Sequence, residues 1–153
     1  MRRKSYEDMN CSVAQALEVV GDPWTLLVIR DVMFGYRRFN DIQERLGIAR
    51  NTLTDRLALL VDREVLTKVA YQDHPERHEY RLTQKGRDLA PIIITLMQWG
   101  DAWSALPEPP VHLVDGETGR VVEPVLVDRS TGTPIAELRV RAVGAAVGSD
   151  TLA

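Results

Sequence analysis

The stretch that decides the fold is residues 39–61, which read FNDIQERLGIARNTLTDRLALLV. Two apolar stripes at helical spacing flank Gly47: Phe39, Ile42 and Leu46 before it, and Leu53, Leu57, Leu60 and Val61 after it. Gly47 ends the first helix, and only a short turn, Gly47-Ile48-Ala49, precedes the second pattern. Two short helices joined by a tight glycine-containing turn are typical of a helix-turn-helix, because only such a turn lets the second helix lie across the first.

The second helix of such a pair enters the major groove of DNA and presents its first turn to the base edges. Its apolar stripe points inward, so Asn51, Thr54 and Asp55 face outward, while Arg50, Thr52 and Arg56 lie on the flanks. Arginine and asparagine are best shaped for paired hydrogen bonds to guanine and adenine. The predicted DNA-reading residues are therefore Arg50, Asn51, Thr52, Thr54, Asp55 and Arg56. The alternative is an ordinary helical hairpin with a solvated charged face.

Two strand-like runs follow at once, LTKVAY at 66–71 and HEYRL at 78–82. The polar loop 72–77 joins them, which predicts a two-stranded wing lying beside the duplex. Gln72, His74 and Arg77 of this loop are predicted to contact phosphates or the minor groove. His74 and His78 have the spacing of a helical zinc pair, but Pro75 places them in a loop where that geometry fails, so no metal site is expected.

Two helices are predicted before this region. The first covers residues 12–20, is ended by Gly21, and carries the apolar stripe Val13, Ala16, Leu17 and Val20. The second begins at Asp22-Pro23-Trp24, with an acidic N-cap and proline at the first helical position, and runs to about Met33. Because this second helix is apolar on nearly every face, we expect it at the centre of the core.

A long last helix is predicted to begin at a Thr83 cap. Its apolar face comprises Leu89, Ile92, Ile93, Leu96, Met97, Gly100 and Trp103, with Pro91 expected to kink it. This face is larger than a small winged domain can cover, so a second copy of the chain is the simplest cover. The predicted dimer interface is therefore Leu89, Ile92, Ile93, Leu96, Gly100 and Trp103. The alternative is a helix folded back on its own domain.

Composition and charge restrict the class of protein. The 153 residues are 44% hydrophobic and 27% charged, which is typical of a globular protein with a real core. The absence of an apolar run of about 18 residues predicts a cytoplasmic protein with no membrane partner. Residues 1–83 contain 13 lysines and arginines against 13 acidic residues, so DNA binding must depend on a local patch rather than on bulk charge.

Five ordered blocks together resemble one known family. They are CSVAQALEVVGDPWTLLVIRD at 11–31, GYRRFNDI at 35–42, LTDRL at 53–57, YRLT at 80–83 and WG at 99–100, and they resemble the HxlR family of winged-helix regulators. The resemblance implies a homodimer joined through the terminal helices, with the helix from about Arg50 to Arg63 in the major groove. It also implies that Arg37 or Arg38 lies near a phosphate.

Cys11 is the only cysteine, which excludes an internal disulfide and a cysteine-based zinc site. Some members of the family use the equivalent cysteine as a redox or electrophile sensor. Here Cys11 falls at the start of the first predicted helix, where exposed N–H groups can stabilise a thiolate. The alternative is a small apolar filler of the core, with a small-molecule effector or none.

The last third departs from the core family. Pro107-Glu108-Pro109-Pro110 marks a boundary, and two copies of D-x-x-T-G follow, at Asp115–Gly119 and Asp128–Gly132. Their spacing is that of the C-x-x-C-G knuckles of a zinc ribbon. Longer members of the HxlR family resemble this region and have cysteines at these positions, but this sequence has none here. We therefore expect hairpin turns without metal, although the oxygen ligands leave a hard-cation site open. The predicted domains are 1–106 (winged helix-turn-helix and dimerisation), 107–110 (linker), 111–143 (β-rich extension) and 144–153 (flexible tail).

The predicted fold class is α+β: a mainly helical winged helix-turn-helix with a long C-terminal dimerisation helix, followed by a small β-ribbon extension. The expected function is a transcriptional regulator that binds double-stranded DNA as a homodimer on an inverted-repeat operator, with a redox, electrophile or small-molecule signal as input. No catalytic constellation or cofactor motif is present, so no enzyme activity is expected. The alternative is a winged-helix protein-interaction module, which the net-zero charge of residues 1–83 favours.

Overall fold

The helix-turn-helix predicted from residues 39–61 is present in the computed structural model, which describes residues 5–143. The helices are α1 (Ser12–Val20), α2 (Thr25–Met33), α3 (Phe39–Leu46), α4 (Arg50–Asp62), α5 (Gln84–Arg87) and α6 (Ala90–Trp103), and the strands are β1 (Leu66–Asp73) and β2 (Glu76–Leu82). Gly47 ends α3 in the left-handed conformation, with φ of 60°, which glycine adopts without strain. Ile48 is buried in the turn, so the turn is fixed to the core.

The core lies between α2, α3, α4 and the start of the wing. Its fully buried large apolar side chains are Val28, Ile29, Ile42, Leu53, Leu57, Leu60, Val65 and Leu66. The predicted central place of α2 is confirmed, since α2 contacts α3, α4 and β2. Each α4 residue in this set lies on the stripe predicted from the spacing of Leu53, Leu57 and Leu60.

The start of α2 differs slightly from the prediction. The helix begins at Thr25 rather than at Pro23, and a capped turn precedes it. Asp22 Oδ1 accepts the backbone N–H of Trp24 at 2.9 Å, and the carbonyl oxygen of Asp22 accepts that of Thr25 at 3.2 Å. Asp22 therefore satisfies backbone donors at this helix start, as an N-terminal acidic residue is expected to do.

The wing is longer than predicted. β1 and β2 pair antiparallel from Leu66↔Leu82 to Asp73↔Glu76, so only two residues, His74 and Pro75, connect them. Gln72 and Arg77, which were predicted in a loop, lie opposite each other in the ladder. The register shifts between Ala70 and Gln72, which leaves Tyr71 at a bulge.

The prediction of one long last helix is wrong in one respect, because the segment forms two helices, α5 and α6. Thr83 caps only α5, where its Oγ1 accepts the N–H of Gly86 at 3.1 Å. Pro91 then lies in the first turn of α6, where its missing N–H costs little, whereas inside a continuous helix it would remove a hydrogen bond. Gly86 is buried and packs closely against the backbone of Val65, so a Cβ at this position would lie 2.2 Å from the carbonyl oxygen of Val65.

The apolar stripe predicted for α1 is only partly buried. Val20 is buried as expected, but Val13 is 67% exposed and Leu17 is 39% exposed. The buried face of the helix runs through Ala14 and Val20 instead. Most of the predicted stripe of α1 therefore faces outward in this chain.

The chain divides into two compact units, Met1–Ile93 and Ile94–Ala153, with the boundary inside α6. In the second unit each D-x-x-T-G copy forms a tight turn beside an isolated bridge, Val114↔Val121 in one case and Val127↔Pro134 in the other. The hairpin turns are as predicted, and a short 3-10 helix, Ile135–Glu137, follows them. No residue from 94 to 143 is fully buried. The predicted tail, 144–153, lies outside the described residues.

Candidate nucleic-acid interface

The exposed face of α4 is the one predicted from the sequence. Arg50, Asn51, Thr54 and Asp55 are exposed at its N-terminal end, whereas Leu53 and Leu57 on the opposite face are buried. The Arg50 guanidinium lies over the Phe39 ring, 5.0 Å from its centroid. Thr54 Oγ1 donates to the carbonyl oxygen of Arg50 at 2.9 Å, so this hydroxyl keeps only its lone pairs for a ligand.

Thr52 and Arg56, on the flanks of α4, are half-buried. Arg56 Nη1 lies 3.4 Å from Asp22 Oδ2, and Arg56 Nε is buried without a hydrogen-bond partner among the described residues. Arg56 is therefore committed to an internal ion pair that joins α4 to the start of α2. Its availability to DNA is much lower than that of Arg50.

The segment before α3 pairs with the wing, which sequence reasoning did not predict. The backbone N–H of Tyr80 donates to the carbonyl oxygen of Arg37 at 2.7 Å, and Arg38 forms an isolated bridge with Glu79. The Arg38 guanidinium lies 4.6 Å from the centroid of the Tyr71 ring at the wing bulge. These contacts bring the start of α3 beside β2. The sequence feature that could have indicated this pairing is the short non-helical stretch between Gly35 and Phe39.

At the wing tip, His74 and Arg77 are exposed and Gln72 is half-buried. Gln72 Nε2 donates to the carbonyl oxygen of His74 at 3.2 Å, which ties the tip together. Farther along β2, burial raises the pKa of Tyr80, which keeps its phenol protonated to a higher pH than in a free tyrosine.

The arginines of the first unit fall into two groups. Ion pairs with carboxylates hold Arg30, Arg45, Arg56, Arg63 and Arg81, and Arg87 donates to the carbonyl oxygen of Leu82 at 2.9 Å. The other arginines among residues 5–93 form no ion pair: Arg37, Arg38, Arg50 and Arg77. All four are exposed, and they lie just before α3, at the start of α4 and beside the wing tip. These four arginines therefore have no carboxylate partner within the described residues.

Asp31 was not singled out from the sequence, yet it organises the region behind α3. Its carboxylate is fully buried and pairs with Arg30 at 2.7 Å and with Arg45 at 3.3 Å. Arg45 also lies over Tyr36, 3.7 Å from the ring centroid. An acidic residue within the apolar run TLLVIRDVM at 25–33 was the available signal.

The residues predicted for a dimer interface are not equally accessible. Leu96 is 51% exposed and Trp103 is 77% exposed, and Ile92 is also exposed. Leu89 and Gly100 are half-buried, and a Cβ at Gly100 would meet nothing within 4 Å. Ile93, in contrast, is buried within its own chain.

Cys11 is exposed, and it is the N-cap residue of α1 without a side-chain hydrogen bond to the helix. Its exposure does not fit the interpretation of a buried apolar filler. Among residues 5–143, no group of three or more histidine, cysteine, aspartate or glutamate side chains is arranged to hold a metal ion. No helix in that range is long and apolar enough to cross a membrane.

Comparison with known proteins gives one consistent result. Residues 19–108 match the model of the HxlR-like helix-turn-helix family. A helix-turn-helix-type transcriptional regulator of Mycobacterium tuberculosis (strain H37Rv) is 47% identical over 125 residues, which cover 81% of this chain and 79% of that protein. A regulator of the same type from Synechocystis is 30% identical over 108 residues, or 70% of this chain and 80% of the other.

Solved structures agree with this result. The crystal structure of PA1607, described as a candidate transcription factor, superposes with a TM-score of 0.77 at 37% identity and covers 90% of this chain and 99% of that one. This coverage is more than residues 1–110 supply, so the match includes part of the extension. The redox regulator HypR in its reduced form has a TM-score of 0.56 at 28% identity, covering 60% of this chain and 92% of that one. The chain therefore belongs to the HxlR-like helix-turn-helix family of transcriptional regulators.

Proposed function

We propose that this chain is a sequence-specific transcriptional regulator that binds an inverted-repeat operator as a homodimer. The observation that carries the proposal is the division of its arginines. Arg37, Arg38, Arg50 and Arg77 form no ion pair within the described residues, and they lie just before α3, on α4 and on the wing, the parts that meet DNA in a winged helix-turn-helix. Local arginines without acidic partners supply the phosphate attraction that the net charge of residues 1–83 does not.

Within this proposal, α4 lies in the major groove. Its exposed first turns present Arg50, Asn51, Thr54 and Asp55 to the base edges, while Thr52 and Arg56 support the helix from its flanks. Backbone contacts come from the start of α3 and from the wing, through Arg37, Arg38, Gln72, His74 and Arg77. Such phosphate contacts fix the position of the protein on the duplex, and the base contacts give sequence preference.

The homodimer is proposed to form through the terminal helices. The exposed apolar residues Leu96 and Trp103 of α6 are costly in water, and a second copy would remove them from it. Leu89, Ile92 and Gly100 complete the proposed seam, and Ile93 supports it from inside the chain. A two-fold dimer places two copies of α4 on neighbouring half-sites.

The input signal is proposed to be an oxidant or electrophile that reacts with Cys11, or else a small-molecule effector. The exposure of Cys11 makes its thiol accessible to such reagents. Similarity to the redox regulator HypR supports the first of these. Because a transcriptional regulator acts on the chromosome of the cell, we place this one in the cytoplasm and propose no enzymatic activity for it.

The alternative function, a protein-interaction module without direct DNA readout, is motivated by the equal numbers of basic and acidic residues in 1–83. The experiment that distinguishes this alternative from the DNA-binding function selects bound sequences from a random duplex library. The mass of the resulting complex is then measured by light scattering. We expect an enriched inverted repeat bound by two chains, with half-site centres about 34 Å apart or a multiple of that distance. If no sequence is enriched at any salt concentration, the DNA-binding proposal is wrong and the interaction module takes its place.

A further inference from the structure

Three arginines of the first unit lie over aromatic rings: Arg38 over Tyr71 at 4.6 Å, Arg45 over Tyr36 at 3.7 Å and Arg50 over Phe39 at 5.0 Å from the ring centroids. A contact of this kind is worth about 0.5 to 1 kcal/mol at an exposed site, or about two- to fivefold in population, which is enough to favour one position of an arginine side chain.

The three contacts differ in what else holds the arginine. Arg45 also pairs with the buried carboxylate of Asp31 at 3.3 Å, so its charge is already neutralised inside the fold. Arg38 and Arg50 have no ion pair and no side-chain hydrogen bond within residues 5–143. For these two, the ring is the one described group that orients the guanidinium.

Arg38 has the clearest setting of the two. Its backbone is held against β2 by the bridge to Glu79, and its side chain is held by Tyr71 at the β1 bulge. A contact between a guanidinium and the face of a ring uses none of the N–H groups in a hydrogen bond, so these donors stay available to the oxygens of a phosphate. The ring contact therefore restricts the side chain without consuming its hydrogen-bond donors.

We propose that Tyr71 is a positioning residue for DNA binding, which holds the Arg38 guanidinium ready for a backbone phosphate of the duplex. This inference rests on the proposed DNA-binding function and deepens it. In a unit whose basic and acidic residues nearly balance, phosphate attraction depends on a few arginines, and each is more effective when its side chain is ordered before binding. Phe39 gives Arg50 a similar arrangement at the start of α4.

The test measures the affinity and salt dependence of binding to a mixed-sequence DNA duplex of about three helical turns, by fluorescence anisotropy. Tyr71→Leu is expected to weaken binding about two- to fivefold, because the Arg38 side chain must then be ordered when DNA binds rather than before. Tyr71→Phe keeps the ring and is expected to bind like the wild type. In the Arg38→Ala background, Tyr71→Leu is expected to cause no further loss, because no arginine remains to be positioned.

The matched control is Tyr36→Leu. Tyr36 and Tyr71 are both 38% exposed and each carries an arginine, but Arg45 above Tyr36 is ion-paired to Asp31. Tyr36→Leu should therefore lower thermal stability with little change in DNA affinity. Tyr71→Thr, which suits a strand, replaces Tyr71→Leu if the latter loses the circular dichroism spectrum of the folded chain.

Three results would overturn the inference. Wild-type affinity in Tyr71→Leu would show that the ring does not assist binding, while the proposed function would stand. An equal loss in Tyr71→Phe and Tyr71→Leu would mean that the hydroxyl itself contacts DNA. Failure of the wild-type chain to bind any duplex would remove the proposed function and this inference together.

Discussion

Arg56 Nη1 lies 3.4 Å from Asp22 Oδ2, and this pair joins the middle of α4 to the turn that begins α2. The two side chains are 24% and 21% exposed, so water screens the pair less than it would on an open surface. The other carboxylate oxygen of Asp22 accepts the backbone N–H of Trp24. One carboxylate therefore both stabilises the start of the central helix and fixes the helix proposed to read DNA.

The first prediction concerns this pair. Asp22→Ala should lower the free energy of unfolding by about 1 to 3 kcal/mol, since it removes a cap and leaves Arg56 half-buried without its partner. Urea titration measures the loss. Asp55→Ala is the control, because Asp55 is an exposed acid of the same helix with no ion pair among the described residues, and its effect should stay within about 0.5 kcal/mol.

Substitution of Arg56 distinguishes a side chain that stabilises α4 from one that contacts a DNA phosphate. Arg56→Ala should destabilise the fold while leaving the slope of affinity against salt concentration unchanged, because no phosphate contact is lost. A variant with normal stability and a slope reduced by about one would instead identify Arg56 as a phosphate ligand.

The second prediction separates base reading from backbone contact. Arg50→Ala should cost about 1 to 3 kcal/mol of binding free energy and relax the preference at one base pair, since Arg50 is exposed on the first turn of α4. Arg77→Ala, beside the wing tip, should weaken binding to all sequences alike and reduce the salt slope by about one. Affinities for the operator and for single-base variants measure both. If Arg50→Ala lowers the affinity for every sequence equally, Arg50 contacts the DNA backbone rather than a base.

Local signals in the sequence predicted most of the fold. The spacing of Leu53, Leu57 and Leu60 gave the buried face of α4, and Gly47 gave the left-handed end of α3. The two D-x-x-T-G copies gave the two turns of the extension. Each of these features is determined by residues within a few positions of one another, where helix periodicity and turn chemistry act directly.

The features that were missed depend on residues far apart in the chain. Arg45 reaches Asp31 across two helices, and Tyr71 reaches Arg38 across the wing, which no periodicity records. The half-buried state of Arg56 likewise follows from Asp22 rather than from its place on the helix. The break before α6 was signalled by Pro91, but we expected a kink within one helix where the chain forms two.

The third prediction concerns the proposed dimer. Leu96→Asp should give monomers by light scattering and abolish operator binding, because it places an unpaired charge in the seam. Ser104→Asp, which adds the same charge just after the helix, should remain a dimer. Ile93→Asp should instead unfold the chain, since Ile93 is buried within its own subunit. A Leu96→Asp protein that stays dimeric and binds DNA would show that the interface lies elsewhere, and we would then assign it to the extension.

The fourth prediction is a pH dependence of the two extension turns. Hydrogen bonds from the Thr118 side chain and backbone lower the pKa of Asp115, and those from Ser130 lower the pKa of Asp128. Because each pKa is lower in the folded turn, its contribution to stability is present above the unfolded value, about 3.9, and is lost as pH falls through the folded value. The turns should therefore open at a pH below the ordinary aspartate pKa.

Amide chemical shifts of Thr118 and Thr131 report these turns directly, since both N–H groups donate to the aspartates at 2.7 and 3.0 Å. Asp115→Asn keeps an acceptor but removes the titration, so the Thr118 shift should become independent of pH while the Thr131 shift does not. Titration midpoints at or above the ordinary aspartate pKa would contradict the prediction.

The last prediction concerns the input signal. Cys11 is exposed at the N-cap of α1, one of the terminal helices through which the dimer is proposed to form. Modification of its thiol can therefore change dimer geometry and, through it, the spacing of the two α4 helices. Treatment with diamide or a quinone should lower DNA affinity, and Cys11→Ser should be insensitive to both reagents.

The single cysteine determines what recovery must look like. Diamide removes two electrons from two thiols, so the disulfide that it forms must join Cys11 to the Cys11 of the partner subunit or to a small thiol. Dithiothreitol should reverse that product, which non-reducing electrophoresis or mass spectrometry identifies, but it should not reverse the quinone adduct. If wild type and Cys11→Ser keep the same affinity under both reagents, Cys11 has no sensing role, and the effector is a small molecule or none, because no other thiol is present to react.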